Sequence, residues 1–273
     1  MALLQSGRVR AGLEGNALEA ILLTKQRALQ SQLSSLRSQQ QLQARLTSLP
    51  PSASPQLLLT ALRNSSNTAL IAEVTRLSPA ESPQGLATRC KNYVQAGADA
   101  IAVRTDEEAS PDGLADLIAV CSAVQVPVVQ TDWFLHPLQI AETREAGAAA
   151  LTLVYAVLKS GLWSLQSYSL SLGLDPIVEI VNLNDLEAVA RQGISVYGIN
   201  LSIKLSLPVP GIRQDVAKSL LQQLPDGARS IVGIMSMEEA LELKLAGASA
   251  LYLRHDVWQG SRNGEGLEVG STR

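Results

Sequence analysis

Glu73 and Glu179 are carboxylates set within apolar runs, Leu70-Ile71-Ala72-Glu73-Val74 and Val178-Glu179-Ile180, and Asn200 closes a third run, Gly198-Ile199-Asn200. A buried parallel strand presents such polar side chains at the mouth of a barrel, where they either take a ligand or hydrogen-bond one another and nearby backbone. The first run leads into a Ser78-Pro79 turn, which joins the same candidate site. No metal and no cofactor is called for: neither a Gly-rich dinucleotide loop nor a phosphate-cradling lysine loop follows the first strand.

The elements that must position these residues repeat along the chain. After the run at 70–79, similar apolar runs span Asp99 to Arg104, Val126 to Gln130, Ala149 to Val154, Pro176 to Ile180, Ser195 to Asn200, Ser230 to Ile234 and Ser249 to Leu253, which makes eight candidate strands. Ala96-Gly97-Ala98, Ala146-Gly147-Ala148 and Ala246-Gly247-Ala248 each close a helical pattern just before a strand, and Gln192-Gly193 does so in a fourth unit. Glycine ends a helix in the left-handed conformation without a Cβ penalty. Strand, helix and glycine repeating in this way predict right-handed βαβ units closed into an α/β fold, a (β/α)8 TIM barrel. A doubly wound open sheet is the alternative fold, and no nucleotide-binding loop supports it.

Before the barrel, apolar residues from Leu18 to Leu46 recur at helical spacing, and three prolines between Pro50 and Pro55 stop that helix. A short helix from Gln56 to Arg63 leads to the first strand. The organisation expected is therefore a helical extension over 1–67 packing on the barrel, the barrel over 68–258 and a flexible tail over 259–273. Four glycines in the last fifteen residues leave the eighth helix either absent or reduced to a short helix around Asp256 to Trp258. An uncovered seam between the last and first strands would be a surface for a protein partner.

Composition narrows the function classes. The chain has 273 residues, 46% of them hydrophobic, enough for one barrel core. A net charge of −3 gives no basic surface for nucleic acid, and no apolar run approaches a membrane span. Cys90 and Cys121 have no partnering spacing and read as free thiols of a reducing compartment. The cytoplasm is expected; Arg8 and Arg10, with no acid in residues 1–13, leave a plastid open.

The chain resembles indole-3-glycerol phosphate synthase from about Leu18 to Leu253. The residues that carry the likeness are Leu-Ile-Ala-Glu-Val at 70–74 with Ser78-Pro79, Thr105-Asp106-Glu107, Pro127-Val128 with Asp132, Pro137 with Gln139-Ile140, Val178-Glu179-Ile180 and Gly198-Ile199-Asn200. The resemblance implies closure of an indole ring on a carboxyphenylamino-deoxyribulose phosphate with loss of carbon dioxide and water. It implies a lysine at the end of strand 3 as general acid, a second lysine at the end of strand 1, and a phosphate site in the loops after strands 7 and 8. Glu73, Glu179 and Asn200 are the retained catalytic positions.

The lysine positions fall on Thr75 and Thr131. A threonine hydroxyl supplies neither an ammonium proton nor a positive charge near neutral pH. Arg76 and Gln130 are adjacent, but strand neighbours point to opposite faces and do not substitute. The family's Glu-Ser-Gly of strand 7 reads Ile231-Val232-Gly233, its Gly-Ser after strand 8 reads Arg254-His255, and its strand 6 arginine falls on Ser202, which counts against a small phosphorylated ligand. What the resemblance leaves at that phosphate site is the backbone N–H groups of the Gly233 turn, which can hold an anion, with Arg254 as a new cationic partner; the alternative is a plain surface loop. Expected, then, is a barrel that has lost catalysis and serves in binding, regulation or assembly. The alternative is an active indole-3-glycerol phosphate synthase of tryptophan biosynthesis, a lyase with an altered site. Asp132 is expected to cap the next helix or its loop, His136 to cap or face solvent, and Trp133 to pack.

Overall fold

The computed structural model describes residues 15–35, 39–65, 67–202 and 210–262. Three helices come first, α1 (Gly15–Ser35), α2 (Gln39–Ser48) and α3 (Leu57–Asn64). Strand and helix then alternate as β1 (Ala69–Val74), α4 (Pro83–Gln95), β2 (Ala100–Arg104), α5 (Gly113–Ala123), β3 (Val128–Thr131), α6 (Pro137–Glu145) and β4 (Ala150–Val154). The second half continues with α7 (Tyr155–Leu158), α8 (Leu162–Ser171), β5 (Asp175–Ile180), α9 (Leu183–Val189), β6 (Val196–Ile199), α10 (Pro210–Gln223), β7 (Arg229–Ile234), α11 (Glu238–Leu245), β8 (Ala250–Leu253) and α12 (His255–Arg262). All eight strands pair in parallel in chain order, and β8 closes on β1, so the sheet is a barrel with no open edge. The fold is a (β/α)8 TIM barrel with an N-terminal helical extension.

The strand bounds follow local chemistry. β3 starts at Val128 because Pro127 has no N–H for the ladder, although its carbonyl still accepts from the Ile101 amide at 3.1 Å. β6 ends at Ile199 because Asn200 turns out of the strand with φ of 56°. The glycines at 97, 147 and 247 hold φ of 100°, 89° and 94°, the left-handed geometry that ends each preceding helix.

Two apolar layers result from the alternation of side chains along each strand. Inside the barrel lie Ile71, Ala102, Val129, Ile177, Val196, Ile231 and Tyr252, and Leu58, Leu59 and Leu62 of α3 join that cluster. The Leu59 amide donates to Asp175 at the start of β5 at 3.0 Å, so α3 plugs the N-terminal end. The outer layer, between strands and helices, is the larger cluster and holds Cys90. Burial pushes the Cys90 and Cys121 thiols up to about 12, so neither ionises near neutral pH.

Helix α1 lies at the opposite end. Its Leu18 and Leu22 pack with Trp133 and Val154, residues from the C-terminal ends of β3 and β4. Between β8 and β1 the expected gap carries α12, whose Val257 and Trp258 are buried. The Trp258 ring lies 5.3 Å from that of Tyr93 on α4, between centroids, and Tyr93 hydrogen-bonds His255. The eighth helix is thus present in short form and runs through residues 259–262; the rest of the expected tail, 263–273, lies outside the described residues. No helix among the described residues is long and apolar enough to cross a membrane.

Candidate functional site at the C-terminal ends of the strands

Interior positions continue upward from the apolar layer into polar side chains. Glu73 follows Ile71 on the inner face of β1, and the Tyr252 hydroxyl of β8 donates to its Oε2 at 2.6 Å. Burial raises the Glu73 pKa, partly offset by that hydrogen bond and by the charges of Arg104 and Arg254. Glu179 of β5 is fully buried; its Oε1 accepts from the Ser202 amide at 2.7 Å and its Oε2 from the Ser202 hydroxyl at 2.6 Å. Burial raises its pKa as well, with the Ser202 bonds pulling the other way.

Arg104 is a cleft residue that reading the sequence missed. It shares the inner face of β2 with Ala100 and Ala102, so period-two alternation was the available signal. In the ladder it stands opposite Thr131, and its guanidinium reaches Asp106 at 3.0 and 3.2 Å. Thr131 occupies the strand 3 position with its hydroxyl on the Val103 carbonyl at 3.3 Å. Glu73, Arg104, Asp106, Thr131, Tyr252 and Arg254 line one cleft of about 580 Å³, counted with its open mouth, and Trp133, Thr152, Leu201 and Ser202 complete much of the wall.

Other candidates lie elsewhere. Ser78 is exposed in the loop after β1, where its carbonyl accepts from the Glu81 amide at 3.0 Å, and it does not line the cleft. Thr75 is also off the cleft wall, and its carbonyl accepts from Arg89 at 2.7 Å. Arg76 turns outward to Asp116 of α5, with nitrogen–oxygen contacts of 2.8 to 3.1 Å, and Gln130 donates to Thr105 at 2.8 Å. Both point away from the interior as strand alternation requires.

Asn200 is buried, and its Nδ2 has no hydrogen-bond partner among the described residues. Its carbonyl oxygen crosses so close to Gly233 that a Cβ there would sit 2.0 Å from it, which accounts for the glycine by packing alone. Arg213 of α10, also missed in the sequence, donates to the Gly233 carbonyl at 3.1 Å and pairs with Glu239, whose other oxygen accepts from the Met235 amide at 3.0 Å. The loop after β7 is thus fixed by a buried ion pair. Arg254, on the cleft wall, donates to the Met235 thioether.

Asp132 holds the loop as expected but does not cap the helix. It accepts from the Trp133 amide at 2.6 Å, from Thr105 at 2.9 Å and from Lys25 of α1 at 2.7 Å. Burial opposes charge on the lysine, yet Asp132 and Glu107 together hold its pKa above the ordinary range. His136 caps α6, its Nδ1 accepting from the Leu138 amide at 3.1 Å.

A closed eight-stranded parallel barrel with helices outside and polar residues gathered at the C-terminal strand ends belongs to the class of TIM barrels. The family model described as indole-3-glycerol phosphate synthase matches residues 18–256, and the chain belongs to that family. It is 31% identical to the indole-3-glycerol phosphate synthase of Sulfurisphaera tokodaii over 142 residues, 51% of this chain and 56% of that one. The counterpart from Beutenbergia cavernae is 33% identical over 154 residues, 55% of this chain and 56% of the relative. The chain spans about half the length of the curated relatives it matches. Among solved structures, an N-acetylmannosamine-6-phosphate 2-epimerase from Clostridium perfringens aligns with a TM-score of 0.59 at 13% identity, over 75% of this chain and 94% of that one, a likeness of fold alone.

Proposed function

We propose that this indole-3-glycerol phosphate synthase-like barrel has lost ring closure and serves as a binding, regulatory or assembly component. The observation that carries the reading is the charge lining the cleft. Among the described residues, Glu73, Asp106, Glu108 and Asp132 face it against Arg104 and Arg254, and neither Thr75 nor Thr131 supplies the ammonium that the family places there. The substrate that the family resemblance implies carries a carboxylate and a phosphate. Such an anion meets an excess of carboxylates here and is repelled where the family places cations.

Proton donation fails separately. Arg104 and Arg254 keep positive charge in the cleft, but a guanidinium does not give up its proton readily enough to act as a general acid near neutral pH. Losing a positioned acid costs on the order of 10²–10⁴ in rate. Glu179 is committed to Ser202 and Glu73 to Tyr252, so both carboxylates have a structural occupation without substrate.

The test is direct. Purified chain incubated with the carboxyphenylamino-deoxyribulose phosphate, beside a genuine synthase, is expected to show no growth of indole fluorescence. Turnover that disappears in Glu179→Gln would overturn the reading and establish the alternative, an active lyase with other groups replacing both lysines.

A further inference from the structure

Two oppositely charged groups on the cleft wall, Glu73 and Arg254, form no salt bridge among the described residues, although Arg104 also lies within electrostatic reach of Glu73. Glu73 spends one carboxylate oxygen on Tyr252, and its Oε1 makes no hydrogen bond among the described residues. Among the described residues the guanidinium of Arg254 donates to the thioether of Met235, a weak acceptor, and its buried Nη1 has no partner. Of the other charges on the wall, Arg104 pairs with Asp106 and Asp132 with Lys25, and Glu108 has an interaction of its own. Glu73 and Arg254 lie within electrostatic reach of each other and line the same cleft, yet they do not pair.

A buried guanidinium nitrogen without an acceptor is costly, and native structures seldom leave one so. A phosphate ester would satisfy Arg254 but not Glu73; a simple amine would do the reverse. A ligand that carries one charge of each sign satisfies both. Beside the pair, Trp133 and Leu201 supply apolar wall, and Thr131 and Thr152 supply hydroxyls.

We propose that the cleft binds a free α-amino acid with an apolar side chain, its carboxylate on Arg254, its ammonium on Glu73 and its side chain against Trp133 and Leu201. The inference rests on the reading of the barrel as a binding component. Discrimination against either half-ligand follows, because each leaves one buried charge unmatched.

Isothermal titration of the full chain tests it with L-leucine and L-phenylalanine, and with phenethylamine and 3-phenylpropionate as the amine and the acid of the same side chain. Saturable binding of an amino acid is expected, with both half-ligands at least tenfold weaker. Arg254→Gln should reduce L-phenylalanine to the level of phenethylamine, and Glu73→Gln to the level of 3-phenylpropionate. No saturable heat with either amino acid overturns the proposal, and so does equal affinity for a half-ligand. Should a variant fail to fold by circular dichroism, the comparison of half-ligands on the unaltered chain decides. Ring closure plays no part in this titration, so turnover would overturn catalytic silence without touching it, and absent binding would leave silence standing.

Discussion

The Tyr252 hydroxyl donates to Glu73 across the junction where β8 closes on β1, at 2.6 Å and with both residues buried. The closure of the barrel and the floor of the cleft therefore share one hydrogen bond. Tyr252→Phe removes the donor and leaves a buried carboxylate short of a partner, at a cost of about 1–3 kcal/mol. Chemical denaturation should show that loss at neutral pH. Glu73→Ala together with Tyr252→Phe should cost less than the sum of the two single changes, since each removes the same bond. An additive result would mean that the bond contributes nothing.

Glu179 should behave oppositely. Its folded-state pKa is raised by burial, so its contribution to stability is present below the unfolded-state value of about 4.3 and is lost as pH rises through the folded value. Glu179→Gln keeps an acceptor for the Ser202 amide and a donor for its hydroxyl oxygen, without the buried charge. The variant should gain about 1 kcal/mol at pH 7, a few degrees in melting temperature, and match the unaltered chain below about pH 4. Thermal melts across that range check it; a less stable variant at pH 7 would mean that Ser202 fully compensates the ionised carboxylate.

How far the sequence reached is clear from these positions. Eight apolar runs punctuated by glycine specify the barrel, because strand pairing in chain order needs only local periodicity and short connections. Glu73 and Glu179 were legible because each interrupts such a run. Arg104 was not, because it stands at a strand end, where a cation reads as solvent-facing until alternation with Ala100 and Ala102 is followed through. Gly233 was legible as a glycine, but whether it serves an anion or the carbonyl of Asn200 depends on a contact 33 positions away in sequence, which no local pattern encodes. The role of Asp132 likewise depends on Lys25 of α1, 107 residues distant.

That distant pair gives a third prediction. Lys25 and Asp132 are 12% and 5% exposed, so deleting the lysine leaves a buried charge. Lys25→Met should destabilise by about 3 kcal/mol or more, and adding Asp132→Asn should recover part of it. Hydrogen exchange should accelerate across α1 in the single variant, because the helix then loses its ion pair to the loop after β3 and keeps only its apolar contacts and the bond from Gln32 to Glu142. Unchanged exchange would mean that apolar packing suffices.

Restoring lysines tests how much of the site has changed. Thr131→Lys places an ammonium opposite Arg104 in the ladder, and like charges directly opposite are destabilising by several tenths of a kcal/mol. Thr75 does not line the cleft, so a lysine there must reach in over the rim. The double variant is expected to fold with a lowered melting temperature and to show no ring closure. Recovered indole fluorescence would show instead that the two lysines were all the site lacked.

The final prediction separates packing from anion binding at β7. Because a Cβ on residue 233 would lie 2.0 Å from the Asn200 oxygen and 2.8 Å from its carbonyl carbon, Gly233→Ala must displace the backbone that turns out of β6. Neither atom is the flexible end of a side chain, so the cost should exceed the about 1–3 kcal/mol of ordinary overpacking. The displaced segment carries Ser202, so the bonds to Glu179 should loosen with it. The expected result is a large fall in melting temperature with no phosphate present, and no recovery when inorganic phosphate is added. If the variant folds with unchanged stability and loses only affinity for phosphate, the glycine serves an anion and not the carbonyl of Asn200.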